Sequence, residues 1–135
     1  MRKPLQFTLI IAAIIMTTPA FASPLLDQYK AQAQQEDTSF MGFSAERGKA
    51  FYLARHATGK AETPACTSCH TDRPTGTGLT RAGKTIAPLA TSLSPDRYTD
   101  KRKVEKWFRR NCNSVLGRVC SATEKGDFIT FMLTQ

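Results

Sequence analysis

Apolar residues occur along this chain in one almost unbroken run and then in several short stretches at helical spacing. The almost unbroken run extends from Leu5 to Met16. Further along, apolar residues return every three or four positions, which is the period of an α-helix with one buried side. These residues are Leu25, Leu26 and Tyr29, then Phe51 and Tyr52, then Val104, Trp107 and Phe108, and finally Phe128, Phe131 and Met132. The pattern predicts an all-α fold made of a few short helices.

Polar residues that favour helix ends frame these stretches. Ser44 and Thr99-Asp100 are typical helix starts, and Ser121 forms a capping box with the glutamate three residues later. Ser94-Pro95-Asp96 is a further predicted start, with proline at the first helical position. We expect the helix after Ser44 to end at Thr58-Gly59-Lys60. We expect the helix after Ser44 to cross the C-terminal helix that begins at Ser121.

The crossing point is predicted by a glycine. Gly48 shares its helix face with the aromatic pair Phe51 and Tyr52, which indicates close approach of another helix, here the C-terminal one. Two other segments lack a clear periodicity. Residues 71–90 are rich in glycine, proline and threonine, which predicts a loop. Residues 23–43 are polar and rich in glutamine, and the sequence leaves open whether they form a short amphipathic helix or a partly ordered arm.

The N-terminal run indicates where the protein is located. Met1-Arg2-Lys3 is basic, the apolar run follows, and Ala20-Phe21-Ala22 offers a small-residue cleavage site, so residues 1–22 are expected to be a secretory signal peptide. A membrane anchor is the alternative, but about 12 apolar residues are fewer than the roughly 20 that span a bilayer. We therefore expect cleavage after Ala22 and a periplasmic protein without a membrane anchor, with one domain over residues 44–135.

Charge adds a candidate interaction surface. The chain has a formal net charge of +8, which falls to +6 when Arg2 and Lys3 are removed with the leader. Six cations share one face of the helix after Asp100: Lys101, Arg102, Lys103, Lys106, Arg109 and Arg110. This face either docks an acidic partner by electrostatic steering or is simply solvated surface. Export argues against nucleic acid as the partner.

The candidate chemistry lies in the segment Cys66-Thr67-Ser68-Cys69-His70. A C-x-x-C-H motif is the attachment pattern of a c-type haem, in which two thiols bind the vinyl groups and the histidine binds the iron. A zinc site would need a second ligand pair, and Cys112 and Cys120 are not spaced C-x-x-C. A thioredoxin-type pair would need a preceding strand and a following helix, whereas both flanks are typical of loops. The sequence therefore predicts one covalently bound haem c.

Two cysteines remain once the haem is attached. Cys112 and Cys120 are expected to form a disulfide in an oxidising compartment, with two free thiols as the alternative. The disulfide would hold the preceding residue, Asn111, in place and leave the loop 113–119 to move as a unit.

The sixth iron ligand is not settled by the residues alone. Methionine is common in electron carriers, but Met41 and Met132 both lie outside the loop before the C-terminal helix, where that ligand is expected. Asn111 continues the apolar stripe of its helix, where an amide needs a partner. A hydrogen-bonded asparagine and an iron ligand fit that position equally well. Elimination leaves Asn111, His56, water or an empty position.

Longer motifs resemble a known family. The haem motif between a G-x-x-F helix and a capped C-terminal helix resembles class I cytochrome c. More narrowly, residues 44–134 are similar to the sphaeroides haem protein group of monohaem cytochromes. The motifs that carry this similarity are Arg81-Ala82-Gly83-Lys84 with Pro88-Leu89, Val104-Glu105-Lys106-Trp107, Arg110-Asn111-Cys112-Asn113-Ser114 followed by Gly117-Arg118 and Cys120, and Glu124-Lys125-Gly126-Asp127.

The resemblance implies a site and a set of partners. It implies a class I cytochrome c fold, His70 and Asn111 as the axial iron ligands, and a Cys112–Cys120 disulfide. It further implies that the asparagine leaves on reduction, so that ferrous iron takes oxygen, nitric oxide or carbon monoxide. The implied partners are a dihaem cytochrome c and, upstream, a membrane b-type cytochrome.

The residues and the family resemblance together give the expected function. We expect a monomeric protein that transfers electrons and binds small diatomic ligands when reduced, rather than an enzyme. A plain electron carrier and a terminal reductase of a small oxidised species are the alternatives. A peroxidase would need distal acid–base groups, for which His56 is the sole histidine candidate and is poorly placed.

Overall fold

Over residues 23–135 the domain is built from four α-helices, and the last of them contacts the first two. The computed structural model describes residues 23–135, so the predicted signal peptide lies outside the described residues. The elements within that range are α1 (Pro24–Glu36), α2 (Ala45–Leu53), a 3₁₀ turn (Cys66–Ser68), β1 (Gly78–Leu79), β2 (Thr85–Ile86), α3 (Lys101–Leu116) and α4 (Ala122–Leu133). The prediction of an all-α fold is confirmed. None of the helices in this range is long and apolar enough to cross a bilayer.

Helices α2 and α4 cross at Gly48, as predicted. A Cβ atom at this position would overlap the backbone carbonyl of Asp127 and lie 2.9 Å from the Cβ of Phe131. The crossing is reinforced by the buried Asp127 carboxylate, which accepts hydrogen bonds from the Ser44 N–H at 2.7 Å and from Arg47 Nε at 2.7 Å. Ser44 also caps α2 by accepting from the Arg47 N–H. The same few residues therefore start α2 and fix it to α4.

The segment before the domain is a core helix rather than a loose arm. In α1, Leu25, Tyr29 and Ala33 are buried. The Tyr29 ring packs edge-on against Phe108 of α3 at 6.4 Å between centroids. Its hydroxyl donates to Glu105 Oε1 at 2.5 Å, and this carboxylate also accepts from Lys125 of α4. Helix α1 is therefore anchored to both α3 and α4 by apolar and charged contacts.

Three local predictions are corrected. Helix α2 ends at Leu53 rather than at Thr58-Gly59-Lys60, because the chain turns extended at Ala54. Residues 94–96 start no helix, because Tyr98 adopts a left-handed backbone with φ of 64° that a right-handed helix excludes. The loop 71–90 contains the short antiparallel hairpin β1–β2, which its composition did not indicate.

The start of α4 provides a pH-dependent contribution to stability. Glu124 forms the predicted capping box with Ser121, and it pairs with Arg118 at 2.6 Å. The hydrogen bond from Arg118 is the main reason that the pKa of Glu124 lies below its ordinary value of 4.5. A carboxyl with a lowered folded pKa contributes stability above its unfolded pKa and loses it as the pH falls through the folded value.

We expect Glu124→Gln to lower the unfolding free energy by about 1 kcal/mol at neutral pH, because Arg118 is half exposed and solvent screens the pair. The loss should shrink as the pH falls below 4.5. Urea unfolding of both proteins across that range measures it. A difference that stays constant with pH would show that the charge of Glu124 is irrelevant.

Candidate haem site

The predicted haem motif forms a single tight turn. Cys66–Ser68 is a 3₁₀ turn in which Cys66 O accepts from the Cys69 N–H at 3.3 Å and from the His70 N–H at 3.1 Å. The thiols of Cys66 and Cys69 are free and half-buried. The turn therefore groups two thiols and one imidazole on a segment of five residues, as attachment of a haem requires.

The hairpin β1–β2 packs directly against this turn. A Cβ atom on Gly78 would lie 2.5 Å from Cys69 O and 3.3 Å from His70 Nδ1, so only glycine allows this approach. The next residue, Leu79, donates its N–H to Cys69 O at 2.8 Å. The buried Tyr52 hydroxyl donates to Thr71 O, directly after the motif. Gly78 and Tyr52 thus both hold the C-terminal end of the motif, and no local pattern predicted either contact.

The electrostatic environment keeps His70 neutral. Burial lowers the pKa of His70 to about 4, and the nearby Arg97 guanidinium adds to the effect. A neutral imidazole is the form that binds iron. Arg97 is held in place by hydrogen bonds from Nε to Pro88 O and from Nη2 to Ala87 O, the latter at 2.6 Å. No pattern in the sequence distinguishes this arginine from the other basic residues. Burial also raises the pKa of the Cys66 thiol to about 11.

Asn111 lies on α3, but not on its buried side. The buried residues of that helix are Val104, Phe108, Cys112, Val115 and Leu116. Trp107 is 46% exposed and Asn111 is also exposed, so the described residues pack against only part of the predicted stripe, and its continuation through both residues stays a prediction. The reason is that α1 and α4 pack against the neighbouring line of α3. Trp107 and Asn111 form the border between the buried side and the basic side of the helix.

The backbone of Asn111 is fixed on both sides. Phe108 and Cys112, one turn before and one residue after it, are 8% and 5% exposed. Cys112 forms a disulfide with Cys120, with 5.7 Å between their Cα atoms. Residues 113–116 still belong to α3, so only the short segment 117–120 connects to α4. The expectation of a mobile loop over residues 113–119 is therefore wrong.

Hydrogen bonds join this end of α3 to the segment that leads into the haem motif. The Lys60 N–H donates to Ser114 O at 2.7 Å, and Thr63 Oγ1 lies 2.7 Å from Ser114 Oγ. Thr63 is three residues before Cys66, and Ser114 is about one helical turn after Asn111. These hydrogen bonds therefore hold the segment before the haem motif next to the end of α3 that carries Asn111.

His56 lies in the loop after α2. Its ring is 5.9 Å from that of Phe51, and its backbone N–H donates to Pro64 O at 2.6 Å. Its Nε2 atom is buried and has no hydrogen-bond partner among the described residues. An unpaired buried nitrogen is costly, which fits a site that a bound group completes.

These features suit a covalent haem better than a bare metal ion. Residues 23–135 contain no cluster of three or more His, Cys, Asp or Glu side chains that would hold an ion. Two free thiols followed by a neutral imidazole form the attachment and ligand set that a c-type haem uses.

Comparisons with known proteins agree with this fit. Residues 38–132 match a family model described as a domain of unknown function, DUF1924. The cytochrome c-type protein SHP of Cereibacter sphaeroides is 44% identical over 128 residues, which cover 93% of this chain and 97% of that protein. The solved structure of oxidised SHP, an oxygen-binding cytochrome c, matches at a TM-score of 0.76 with 46% identity, over 83% of this chain and 95% of that one.

A second cytochrome is also similar. The solution structure of cytochrome c'' from Methylophilus methylotrophus, which addresses haem-ligand detachment in that protein, matches at a TM-score of 0.71 with 35% identity. The match covers 83% of this chain and 91% of that chain.

Proposed function

Since this chain belongs to the SHP group of class I monohaem cytochromes c, within the DUF1924 family, we propose that it transfers electrons and binds small diatomic ligands when reduced. The chain carries one covalently bound haem c, so the predictions of cofactor and fold are confirmed. The observation that carries the proposal is the turn that groups Cys66, Cys69 and His70, connected to a helix that exposes Asn111.

The residues of the turn have separate tasks in this proposal. Cys66 and Cys69 would each form a thioether to the haem, and His70 would bind the iron from the proximal side. When bound, the haem supplies a one-electron couple and, in its ferrous form, affinity for diatomic molecules. The packing of Gly78 against Cys69 and His70 holds the imidazole in a fixed orientation.

Asn111 would be the sixth ligand of the oxidised protein and would withdraw on reduction. A neutral amide oxygen is a hard donor, which suits ferric iron better than the softer ferrous ion. Its backbone is fixed by Phe108 and Cys112, so rotation of the exposed side chain, rather than movement of a loop, would open the position. Two relatives support this: SHP is an oxygen-binding cytochrome c, and ligand detachment is described for cytochrome c''.

The cellular setting is part of the proposal. The protein would be exported, lose residues 1–22, and act in the periplasm as a monomer. The Cys112–Cys120 disulfide is consistent with an oxidising compartment. The proposed electron donor is a dihaem cytochrome c, which a membrane b-type cytochrome would supply. A plain electron carrier is the second candidate, and it would be favoured if Asn111 stayed bound after reduction.

Haem attachment by Cys66 and Cys69 is tested by replacing both with alanine. The variant is expected to release all its haem into acidified acetone, whereas the wild-type protein retains it. The matched control, Cys112→Ala with Cys120→Ala, removes the other two cysteines and should retain the haem while losing about 2–3 kcal/mol of stability. Haem retained by the first variant, or released by the control, would contradict the assignment.

A further inference from the structure

We propose that the basic face of α3 is the docking surface for an acidic redox protein that delivers electrons to this cytochrome. The basic face comprises Lys101, Arg102, Lys103, Lys106, Arg109 and Arg110. The inference rests on the proposed function, because a docking surface for an electron donor presupposes an electron-accepting haem. It adds to that function a location and a partner chemistry.

The charges of the basic face are not neutralised within the domain. All six side chains are exposed, and none forms an ion pair with another residue of the described range 23–135. Glu105 is the sole acidic residue within α3; its carboxylate accepts from Tyr29 and Lys125 and also attracts Lys101 one turn earlier. Most of the positive charge of this face is therefore presented to the solvent.

This arrangement is unfavourable for the helix itself. Three of the cations lie in the first turn of α3, which has no acidic residue, so they oppose the positive end of the helix dipole. Lys106 lies three or four positions from four other cations, Arg102, Lys103, Arg109 and Arg110. Like charges at these spacings destabilise a helix. A face that lowers the stability of its own helix is better explained by a partner of opposite charge than by solubility.

The border of the basic face has the composition of a protein interface. Trp107 is 46% exposed, and the Arg110 guanidinium lies 5.1 Å from the centre of its ring. Tryptophan and arginine are enriched among the residues that dominate interface energies. Two surface cavities, of about 370 and 520 Å³, lie along the helix, and Arg102 and Lys106 line both. Each cavity also has one carboxylate in its lining, Glu105 in the first and Asp100 in the second, but cations outnumber it in both, so the cavities are suited to receive acidic side chains.

A protein fits this surface better than a lipid membrane does. A helix that binds a membrane surface inserts a row of apolar side chains into the lipid. Here the apolar residues Val104, Phe108 and Val115 face the protein core, and Trp107 is the one large apolar side chain of α3 that is exposed. Trp107 lies one turn before Asn111, so a docked protein would contact the helix that carries the proposed distal ligand.

The test compares two holoprotein variants that each lose three positive charges. The first is Lys103→Gln with Lys106→Gln and Arg110→Gln. The control is Lys30→Gln with Lys49→Gln and Lys84→Gln, which are exposed lysines without ion pairs elsewhere in the described chain. The probe donor is an acidic flavodoxin as its anionic hydroquinone. One electron passes from it to the ferric haem, leaving a neutral flavin semiquinone and ferrous iron.

At low ionic strength, we expect the basic-face variant to be reduced by flavodoxin about tenfold more slowly than the wild-type protein, with a flatter salt dependence. The control variant should slow by less than about twofold. Reduction by a free neutral flavin semiquinone should be equal in all three proteins. This last rate also shows that each protein is folded and has a working haem.

Each of the other outcomes contradicts either the proposed electron-transfer function or the proposed docking surface. If the free flavin reduces none of the proteins, the proposed electron-transfer function is wrong. If the free flavin acts normally but the two variants respond equally to flavodoxin, net charge alone matters and the docking surface is wrong. If the basic-face variant instead loses binding only to phosphatidylglycerol vesicles, the surface recognises lipid and the protein partner is wrong.

Discussion

Replacing Asn111 with alanine is expected to change the oxidised protein completely from a low-spin to a high-spin spectrum. The methyl group of alanine cannot bind iron, and the fixed backbone between Phe108 and Cys112 gives no neighbouring side chain access to the same position. Because the Asn111 side chain is exposed and hydrogen-bonds to no other residue in the range 23–135, the unfolding free energy should change by less than about 0.5 kcal/mol. Electron paramagnetic resonance of the ferric protein measures the spin state directly.

His56→Phe is the matched control for this prediction. His56 is the other side chain that elimination leaves as a ligand, and its buried Nε2 has no partner among the described residues. Phenylalanine keeps an aromatic ring beside Phe51 but removes the nitrogen. We expect its ferric spectrum to stay low-spin. A high-spin His56→Phe together with a low-spin Asn111→Ala would assign the ligand to His56 instead.

The second large effect is on stability. We expect Gly48→Ala to lower the unfolding free energy by at least about 3 kcal/mol, although alanine gains about 1 kcal/mol over glycine in helix propensity. The added Cβ atom would overlap the backbone carbonyl of Asp127, and backbone cannot move aside as a flexible side chain can. Helices α2 and α4 would have to separate, which would also weaken the hydrogen bonds of the Asp127 carboxylate to Ser44 and Arg47.

Lys49→Ala tests whether this loss comes from the helix crossing. Lys49 is the next residue of α2 and is exposed, so the same new side chain should change stability by less than about 0.5 kcal/mol. Guanidinium chloride unfolding of the haem-loaded proteins, followed by circular dichroism, measures both variants. A Gly48→Ala protein as stable as Lys49→Ala would contradict the crossing.

The parts of this structure that the sequence predicted are those that depend on neighbouring residues. The caps at Ser44, Asp100 and Ser121 act within three residues, so each could be identified from the local pattern. The spacing of Cys66, Cys69 and His70 predicted a haem for the same reason. Gly48 makes a long-range contact, but a glycine that shares a helix face with two aromatic residues is an unusual local signal.

The parts that the sequence did not predict depend on distant residues. Periodicity places Val104, Trp107, Phe108 and Asn111 close together on α3, but it does not determine which line of the helix is buried. Tyr29, 76 positions before Glu105, and the Cys112–Cys120 bond turn α3 so that Trp107 and Asn111 lie at the border. The role of Arg97 likewise depends on the carbonyls of Ala87 and Pro88, which the loop brings to it.

The measurement that most directly tests the central claim is the optical spectrum of the wild-type holoprotein, oxidised and then reduced, with and without carbon monoxide. If Asn111 is a ligand that reduction releases, the ferric protein is low-spin, the ferrous protein is high-spin, and carbon monoxide binds as soon as the iron is reduced. A low-spin spectrum in both states that carbon monoxide does not change would mean that the sixth ligand is retained. The protein would then be a plain electron carrier, and the role proposed for Asn111 would be wrong.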